Sequence, residues 1–310
     1  MTKSKSPLIS VALCSYNGSK FIEEQIQSIL KQSYSNLEVV ICDDGSTDGT
    51  WETLCRLSTT DDRIKIYANE INLGYNKNFD KAFSLCAGEY IAISDQDDVW
   101  MTHKLERLLD CIGENLVIGS NSLLIDKDGH SLGRKMLTKN LPSKLGYKSF
   151  LLENPLTGHT ALLKRDLLEL ILPIPEKGYY DWWIGFIAAY HEKFYFLNET
   201  LTYYRIHSDS AIQQENKSTN QSKRKYRRTL IREQLNTFIS YHNLIEKERI
   251  YLIQLYNLLF PTEGRFFNRK LFNLLTSDLF ELFPYKNKNS ISNVIFSIKY
   301  CLMSDNKTKK

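Results

Sequence analysis

Ser94-Asp95-Gln96-Asp97-Asp98 places three carboxylates within four residues, directly after the strand-like run Tyr90-Ile91-Ala92-Ile93. Two like charges about 4 Å apart repel by roughly 1 kcal/mol in water and about 4 kcal/mol at the effective dielectric near a protein surface. A bound cation or separation by solvent relieves that repulsion. Oxygen-only ligands favour Mg²⁺ or Mn²⁺ over zinc, and Mg²⁺ is usually held by one or two carboxylates while substrate phosphates complete its shell. The plain alternative is a solvated acidic turn, so the surrounding sequence has to discriminate.

Two further polar segments close strand-like runs: Ser15-Tyr16-Asn17 after the first, and Asp43-Asp44-Gly45-Ser46-Thr47-Asp48-Gly49-Thr50 after the second. A calcium loop starting at Asp44 would need a glutamate where Cys55 stands, and its flank is a strand rather than a helix. A nucleoside pocket fits better, because a carboxylate accepts from a pyrimidine N–H or ribose hydroxyls and Gly45 permits close backbone approach. Capping of a following helix by Ser46 or Thr47 is compatible with that role. Near the end of a late strand, alternation puts Arg205 and His207 of Tyr204-Arg205-Ile206-His207 on one face. Both are then expected to reach one diphosphate, Arg205 by charge-assisted hydrogen bonds and His207 as donor or metal ligand. Asp181 opens the otherwise apolar Trp182-Trp183-Ile184-Gly185-Phe186, either as an ordinary N-terminal helix charge or as a carboxyl whose pKa rises against the tryptophans.

The elements carrying these residues alternate. Strand-like Leu8–Cys14, Leu37–Cys42, Ile64–Ala68 and Tyr90–Ile93 are separated by helix-like Lys20–Lys31, Thr47–Leu57 and Asn76–Cys86, and Thr102–Ile112 follows. This is the pattern of an α/β fold with a mainly parallel sheet flanked by helices, whose ligands bind at the carboxyl ends of the strands. Leu116–Ile125 and His159–Leu163 read as further strands, Arg165–Ile171 as a helix, and Phe194–His207 as one or two late strands. Gln213–Lys223 reads as a mobile loop, and the remainder as amphipathic helix packed on the rest. The expected division is a catalytic domain over 1–212 and a basic helical extension over 213–310.

An apolar fraction of 42% over 310 residues supports a real core, and the net charge is only +4. Much of the excess is C-terminal, in Lys223-Arg224-Lys225-Tyr226-Arg227-Arg228, in Lys286, Lys288 and Lys299, and in Lys307, Lys309 and Lys310. That distribution predicts contact with an anionic membrane surface; it contains no recognisable nucleic-acid reading motif, and no nucleic acid partner is expected. Six scattered cysteines, Cys14, Cys42, Cys55, Cys86, Cys111 and Cys301, include no C-x-x-C pair. With no apolar h-region at the start and no apolar stretch near the ~18 to 20 residues of a membrane span, the expected location is cytoplasmic, peripheral to the inner face of the membrane.

Taken in order, S-Y-N, D-D-G-S-T-D, Asn72-Leu73-Gly74 and S-D-Q-D-D-V-W resemble the inverting glycosyltransferase family 2, whose fold is called GT-A. The likeness runs over roughly residues 8 to 210. Within the family, S-D-Q-D-D-V-W, Thr157-Gly158-His159, the Asp-Trp-Trp helix and Tyr-Arg-Ile-His look like bacterial rhamnosyltransferase-type enzymes of polysaccharide synthesis. The resemblance implies a dTDP- or UDP-linked sugar held by Ser15, Tyr16, Asn17, Asp43, Asp44, Asn72, Gly74, Asp95 and Arg205. It implies Mn²⁺ or Mg²⁺ on Asp97, Asp95 and His207, with Asp98 beside them. Gly158, His159 and Trp182 would face a glycan or lipid-linked acceptor, and Asp181 would be the general base, with Asp166 as its rival. Two other classes stay open: a nucleotidyltransferase, for which a glycine- and lysine-rich phosphate loop is missing near the N-terminus, and a catalytically silent glycan-binding protein of the same fold.

Overall fold

The computed structural model describes residues 6–207, 220–261, 268–286 and 292–298. In chain order the elements of the first part are β1 (Ile9–Ser15), α1 (Ile22–Leu30), β2 (Leu37–Asp43), α2 (Thr50–Ser58), β3 (Ile64–Ala68), α3 (Tyr75–Leu85), β4 (Tyr90–Ser94), β5 (Val99–Trp100), α4 (Lys104–Ile112), β6 (Val117–Ile125), β7 (Ser131–Lys135), β8 (Leu162–Lys164), α5 (Leu168–Ile171), α6 (Tyr180–Tyr190) and β9 (Phe194–Arg205). Apolar residues stand at successive positions of β1 and β2 because both faces of these strands are covered, as parallel strands require. Ile9, Val11 and Leu13 join Val39 and Ile41 in a cluster with α1, α2 and α4. Ala12, Val40 and Cys42 point the other way, into a larger cluster with α3 and α6. Cys14, Cys42, Cys55, Cys86 and Cys111 are free thiols, with Cys42 and Cys86 in the core as small apolar residues; Cys301 lies outside the described residues.

The sheet runs β3-β2-β1-β4-β8-β6-β9-β5, with β7 paired to β6. The expected helix-flanked sheet is present, and its parallel character belongs to β3, β2, β1 and β4 and to the pair β6 and β9; β8, β5 and β7 join antiparallel. Two strands were not expected from sequence. β5 spans only two residues, and β7 is exposed throughout, so neither carries a buried alternation. His159 departs from the expected strand: Gly158–Thr160 is a 3₁₀ turn and the strand starts at Leu162. The segment from Arg165 splits into a 3₁₀ turn and the single turn of α5.

Beyond β9 come the helices Asn220–Ile239, Glu246–Leu259, Arg269–Ser277 and Leu279–Leu282. The loop expected over 213–223 is therefore helical from Asn220, and its remainder, with the 212/213 boundary and the Lys288, Lys299 and Lys307–Lys310 charges, lies outside the described residues. Among the described residues no helix is long and apolar enough to cross a membrane. These helices share the larger core cluster with the sheet: Phe238 stacks on Phe186 with ring centroids 3.9 Å apart, and Trp182 meets Phe238 edge-on. Phe238→Ala should therefore cost about 3–5 kcal/mol and move one calorimetric transition for the whole chain. Two separable transitions would mean that the C-terminal helices melt apart from the sheet.

Candidate active site

β1, β2 and β4 end together, with Ser15 opposite Asp43 and Leu13 opposite Ser94, so the loops beyond them meet along one edge. Side chains then sew these loops to one another. Ser15 Oγ and Ser46 Oγ both donate to Asp43 Oδ1, at 2.8 and 2.6 Å. The Asn17 N–H donates to Ser46 Oγ (2.8 Å) while its Oδ1 accepts from the Thr47 N–H (2.9 Å). Buried Asp44 organises a third loop, accepting from Asn69 Nδ2 (2.8 Å), the Leu73 N–H (2.8 Å) and the Gly74 N–H (2.9 Å). Asn72 Nδ2 donates to the Asp44 carbonyl at 3.2 Å. A carboxylate has about four lone-pair sites, which leaves Asp44 one more to offer a ligand. Tyr16 keeps a side chain 49% exposed while its backbone pairs with Gln96, N–H to Oε1 at 2.9 Å and Nε2 to O at 3.0 Å. Gly18 makes room for that pairing, because a Cβ there would sit 2.2 Å from Gln96 Oε1.

The acidic loop continues straight into β5, which pairs antiparallel with β9 and thereby sets Asp97 and Asp98 against Arg205 and His207. The Arg205 N–H donates to Asp98 Oδ1 (3.1 Å), Nε to the Asp97 carbonyl (2.9 Å), Nη1 to the Lys127 carbonyl (3.1 Å) and Nη2 to Glu24 Oε2 (2.6 Å). His207 Nε2 lies 2.8 Å from Asp97 Oδ2, and the Phe21 ring flanks both His207 and the Arg205 guanidinium. From the opposite side His159 Nδ1 lies 3.6 Å from Asp95 Oδ2 and 3.7 Å from Asp98 Oδ2, while Nε2 is 2.7 Å from Ser122 Oγ. Beneath it Lys104, fully buried, donates to the His159 carbonyl at 2.6 Å and sits 3.6 Å over the Trp100 ring.

Burial pushes the Asp98 carboxyl upward, His159 opposing and the neighbouring Asp97 and Asp95 adding to the rise. Burial alone would lower the His159 imidazole, but the Asp98 and Asp95 carboxylates outweigh it and raise it. Burial drives the Lys104 ammonium well below its ordinary value against the pull of Asp98 and Asp95. Asp98 Oδ2 is buried with no hydrogen-bond partner among the described residues. Asp95, Asp98 and His159 each bring a ligand atom within 4.8 Å of the others. A mostly carboxylate donor set with an orphaned buried oxygen fits a divalent cation of the Mg²⁺ or Mn²⁺ kind.

Asp181 sits half-buried in the first turn of α6. Its Oδ2 accepts from the Gly158 N–H (3.1 Å) and its Oδ1 from the Trp182 N–H (2.7 Å). Burial raises this carboxyl to about 6, against the lowering effect of those two backbone donors. Asp166 is exposed on its 3₁₀ turn, away from any such arrangement.

Three expected roles change on this geometry. Arg205 is 2% exposed and its donors are aimed at protein carbonyls and Glu24, so it braces the acidic loop rather than presenting a guanidinium to a diphosphate. His159, 1% exposed, lies under the carboxylates instead of facing an acceptor. Trp182 is buried as well, its indole N–H donating to the Phe150 carbonyl. Gln96, Lys104 and Glu24 escaped the sequence reading. Lys104 alone left a trace, occupying a position of the apolar stripe it shares with Leu108 and Ile112.

Gly158 is confined by Tyr180, whose hydroxyl would lie 2.1 Å from an added Cβ. Gly158→Ala should lose about 1–3 kcal/mol to overpacking in urea unfolding. Tyr180→Phe in the same chain should restore part of that loss, because the ring carbon behind the hydroxyl still crowds the site. A Gly158→Ala chain of wild-type stability would refute the contact.

A model described as Glycosyl transferase family 2 matches residues 10–172, just over half of the chain. An uncharacterized glycosyltransferase of Haemophilus influenzae is 27% identical over 96% of this chain and 92% of its own length. WfaP of Escherichia coli, a UDP-Glc:alpha-D-GlcNAc-diphosphoundecaprenol beta-1,3-glucosyltransferase, is 29% identical over 66% of this chain and 79% of its own. The solved mannosyltransferase PcManGT of Pyrobaculum calidifontis, in complex with GDP-Man and Mn²⁺, shares the fold at a TM-score of 0.56 and 15% identity, over 98% of this chain and 89% of that one. With the sewn loops at the carboxyl edge of the sheet and the acidic loop beside them, the chain belongs to glycosyltransferase family 2 and has the GT-A fold.

Proposed function

We propose that the protein transfers a sugar, with inversion at the anomeric carbon, from a pyrimidine nucleoside diphosphate to a hydroxyl of a lipid-linked glycan in surface-polysaccharide synthesis. The observation that carries this reading is Asp181, a half-buried residue whose carboxyl is raised to about 6 by burial and fixed by two backbone N–H groups. A base with a pKa near the working pH is largely ionised yet still a competent proton acceptor.

The three sewn loops would receive the nucleoside, Asp44 offering its remaining acceptor site to a base N–H and Tyr16 its exposed ring. Asp95 and Asp98, with Asp97 and His207 adjoining, would hold Mn²⁺ or Mg²⁺, which when bound neutralises charge on the leaving diphosphate. Arg205, Lys104 and His159 keep the acidic loop in place. Asp181 takes the proton from the acceptor hydroxyl as that oxygen bonds to the anomeric carbon. The bond from carbon to the diphosphate oxygen breaks on the opposite face, so a single displacement inverts the centre.

The activity of WfaP, with a UDP-linked donor and a diphosphoundecaprenol-linked acceptor, supports UDP over dTDP and a lipid-linked acceptor. Such an acceptor would bring the enzyme to the inner leaflet. There Lys223, Arg224 and Lys225 are available, whereas Arg227 pairs with Glu153 and Arg228 donates to the Leu259 carbonyl. Each surface cation near anionic lipid contributes about 1 kcal/mol.

Asp181→Asn should bind UDP as the wild type does and lose about 10²–10⁴-fold in transfer. Wild-type kcat/KM should fall tenfold per pH unit below about pH 6, where Asp181 becomes protonated, and level off above it; full transfer by the Asn chain would sink the base assignment. In melting curves UDP at 100 times its Kd should add about 2.7 kcal/mol, and Asp95→Asn should remove the Mn²⁺-dependent part of that shift. Running UDP-glucose against dTDP-rhamnose in the same assay decides between the donor of the relative and the rhamnosyl donor suggested by the sequence segments.

A further inference from the structure

Three tyrosines from separate parts of the chain meet beside Asp181. Tyr75 opens α3 directly after Gly74, Tyr179 stands two residues before Asp181, and Tyr226 comes from the helix Asn220–Ile239. The Tyr75 and Tyr179 rings stack with centroids 5.7 Å apart at 23°, and the Tyr179 and Tyr226 hydroxyls join at 2.5 Å. Tyr75 is 50% and Tyr226 51% exposed, so these two rings lie at the surface, while Tyr179, in contact with both, is half-buried against the core.

The backbone beneath them is held from both sides. Tyr75 Oη and Asn76 Nδ2 both donate to the Gly178 carbonyl, at 3.0 and 3.1 Å, and the Tyr179 N–H donates to Gln234 Oε1 at 2.9 Å. Gly178 has a φ of +83° and lies so close to Gln234 that a Cβ would sit 2.4 Å from its Oε1. A left-handed glycine, a helix from the nucleotide side and a helix from the C-terminal part thus fix open aromatic rings next to the carboxyl read as the base. Aromatic rings carry negative faces, which suit the polarised C–H face of a pyranose.

We propose that Tyr75, Tyr179 and Tyr226 form an acceptor subsite on which the terminal pyranose of the glycan stacks with its reacting hydroxyl toward Asp181. This rests on the reading of Asp181 given above, and it makes the C-terminal helix a determinant of acceptor choice.

The test is saturation-transfer NMR on the full chain saturated with UDP, using the octyl glycosides of glucose, N-acetylglucosamine, galactose and rhamnose. At least one glycoside should bind, with saturation strongest on its ring protons. Tyr226→Ala should weaken that binding roughly tenfold, Tyr226→Phe should stay within about threefold because the ring survives, and UDP affinity should be unchanged in both. The subsite is overturned if no glycoside binds a chain that binds UDP, or if Tyr226→Ala binds all four as the wild type does. It is equally overturned if Tyr75→Ala and Tyr226→Ala weaken UDP alone, which would assign the rings to the nucleotide base. Glycoside binding that follows Tyr226 while Asp181→Asn keeps its transfer rate would uphold the subsite and reject the base.

Discussion

Asp95, Asp97 and Asp98 crowd one short loop, and their mutual repulsion is the constraint that the rest of the site answers. Each answer comes from a different element: Arg205 from the end of β9, Lys104 from the start of α4, His159 from the 3₁₀ turn before β8. Arg205 and Lys104 rank among the largest fully buried side chains of the chain. A buried cation without a partner is strongly destabilising, so both must lie where carboxylates and carbonyls converge. Burial of the cations and crowding of the anions are therefore one arrangement, stable only as a whole.

The nucleotide edge and the acceptor edge are built on contrasting principles. At the ends of β1, β2 and β4 the loops are fixed by polar contacts between side chain and backbone, with Asp43, Asp44, Asn17 and Gln96 as the ties. Around Asp181 the support is apolar: α6 is buried almost throughout and wedged between the sheet and Phe238. One carboxylate is thus held by a nearly dry helix while the others sit in a network of charges. Burial is the main cause of the raised Asp181 pKa, with Asp95 of the acidic loop adding to the rise and His159 opposing it.

Much of this was legible in the sequence because covered parallel strands are written as apolar runs with polar residues at their ends. β1 to β4 were placed within a residue or two, and the loops after β1, β2 and β4 were singled out by their carboxylates and glycines. Asp181 stood out as the one charge leading an apolar helix. Alternation also put Arg205 and His207 on one face, but it could not say that this face is closed over by Glu24, 181 residues earlier. Trp182 was misjudged for a related reason: a helix apolar on every side has no periodicity to tell inside from outside. β5 is too short to leave a pattern, yet it is the strand that brings the two halves of the acidic site together.

The separation between Glu24 and Arg205 bears on how the molecule is made. Translation at about 5–20 residues per second leaves the first strands and the acidic loop outside the ribosome for several seconds before β9 emerges. During that interval β6 lacks its parallel neighbour, and β5 lacks β9, its only strand partner among the described residues. The N-terminal strands can pair early, but the charged edge closes late, through contacts of high sequence separation that are slow to form. A chain stalled or cut short before Arg205 would therefore carry a formed sheet edge and an acidic loop without its Arg205 brace, the kind of half-built species that chaperones and proteases act on.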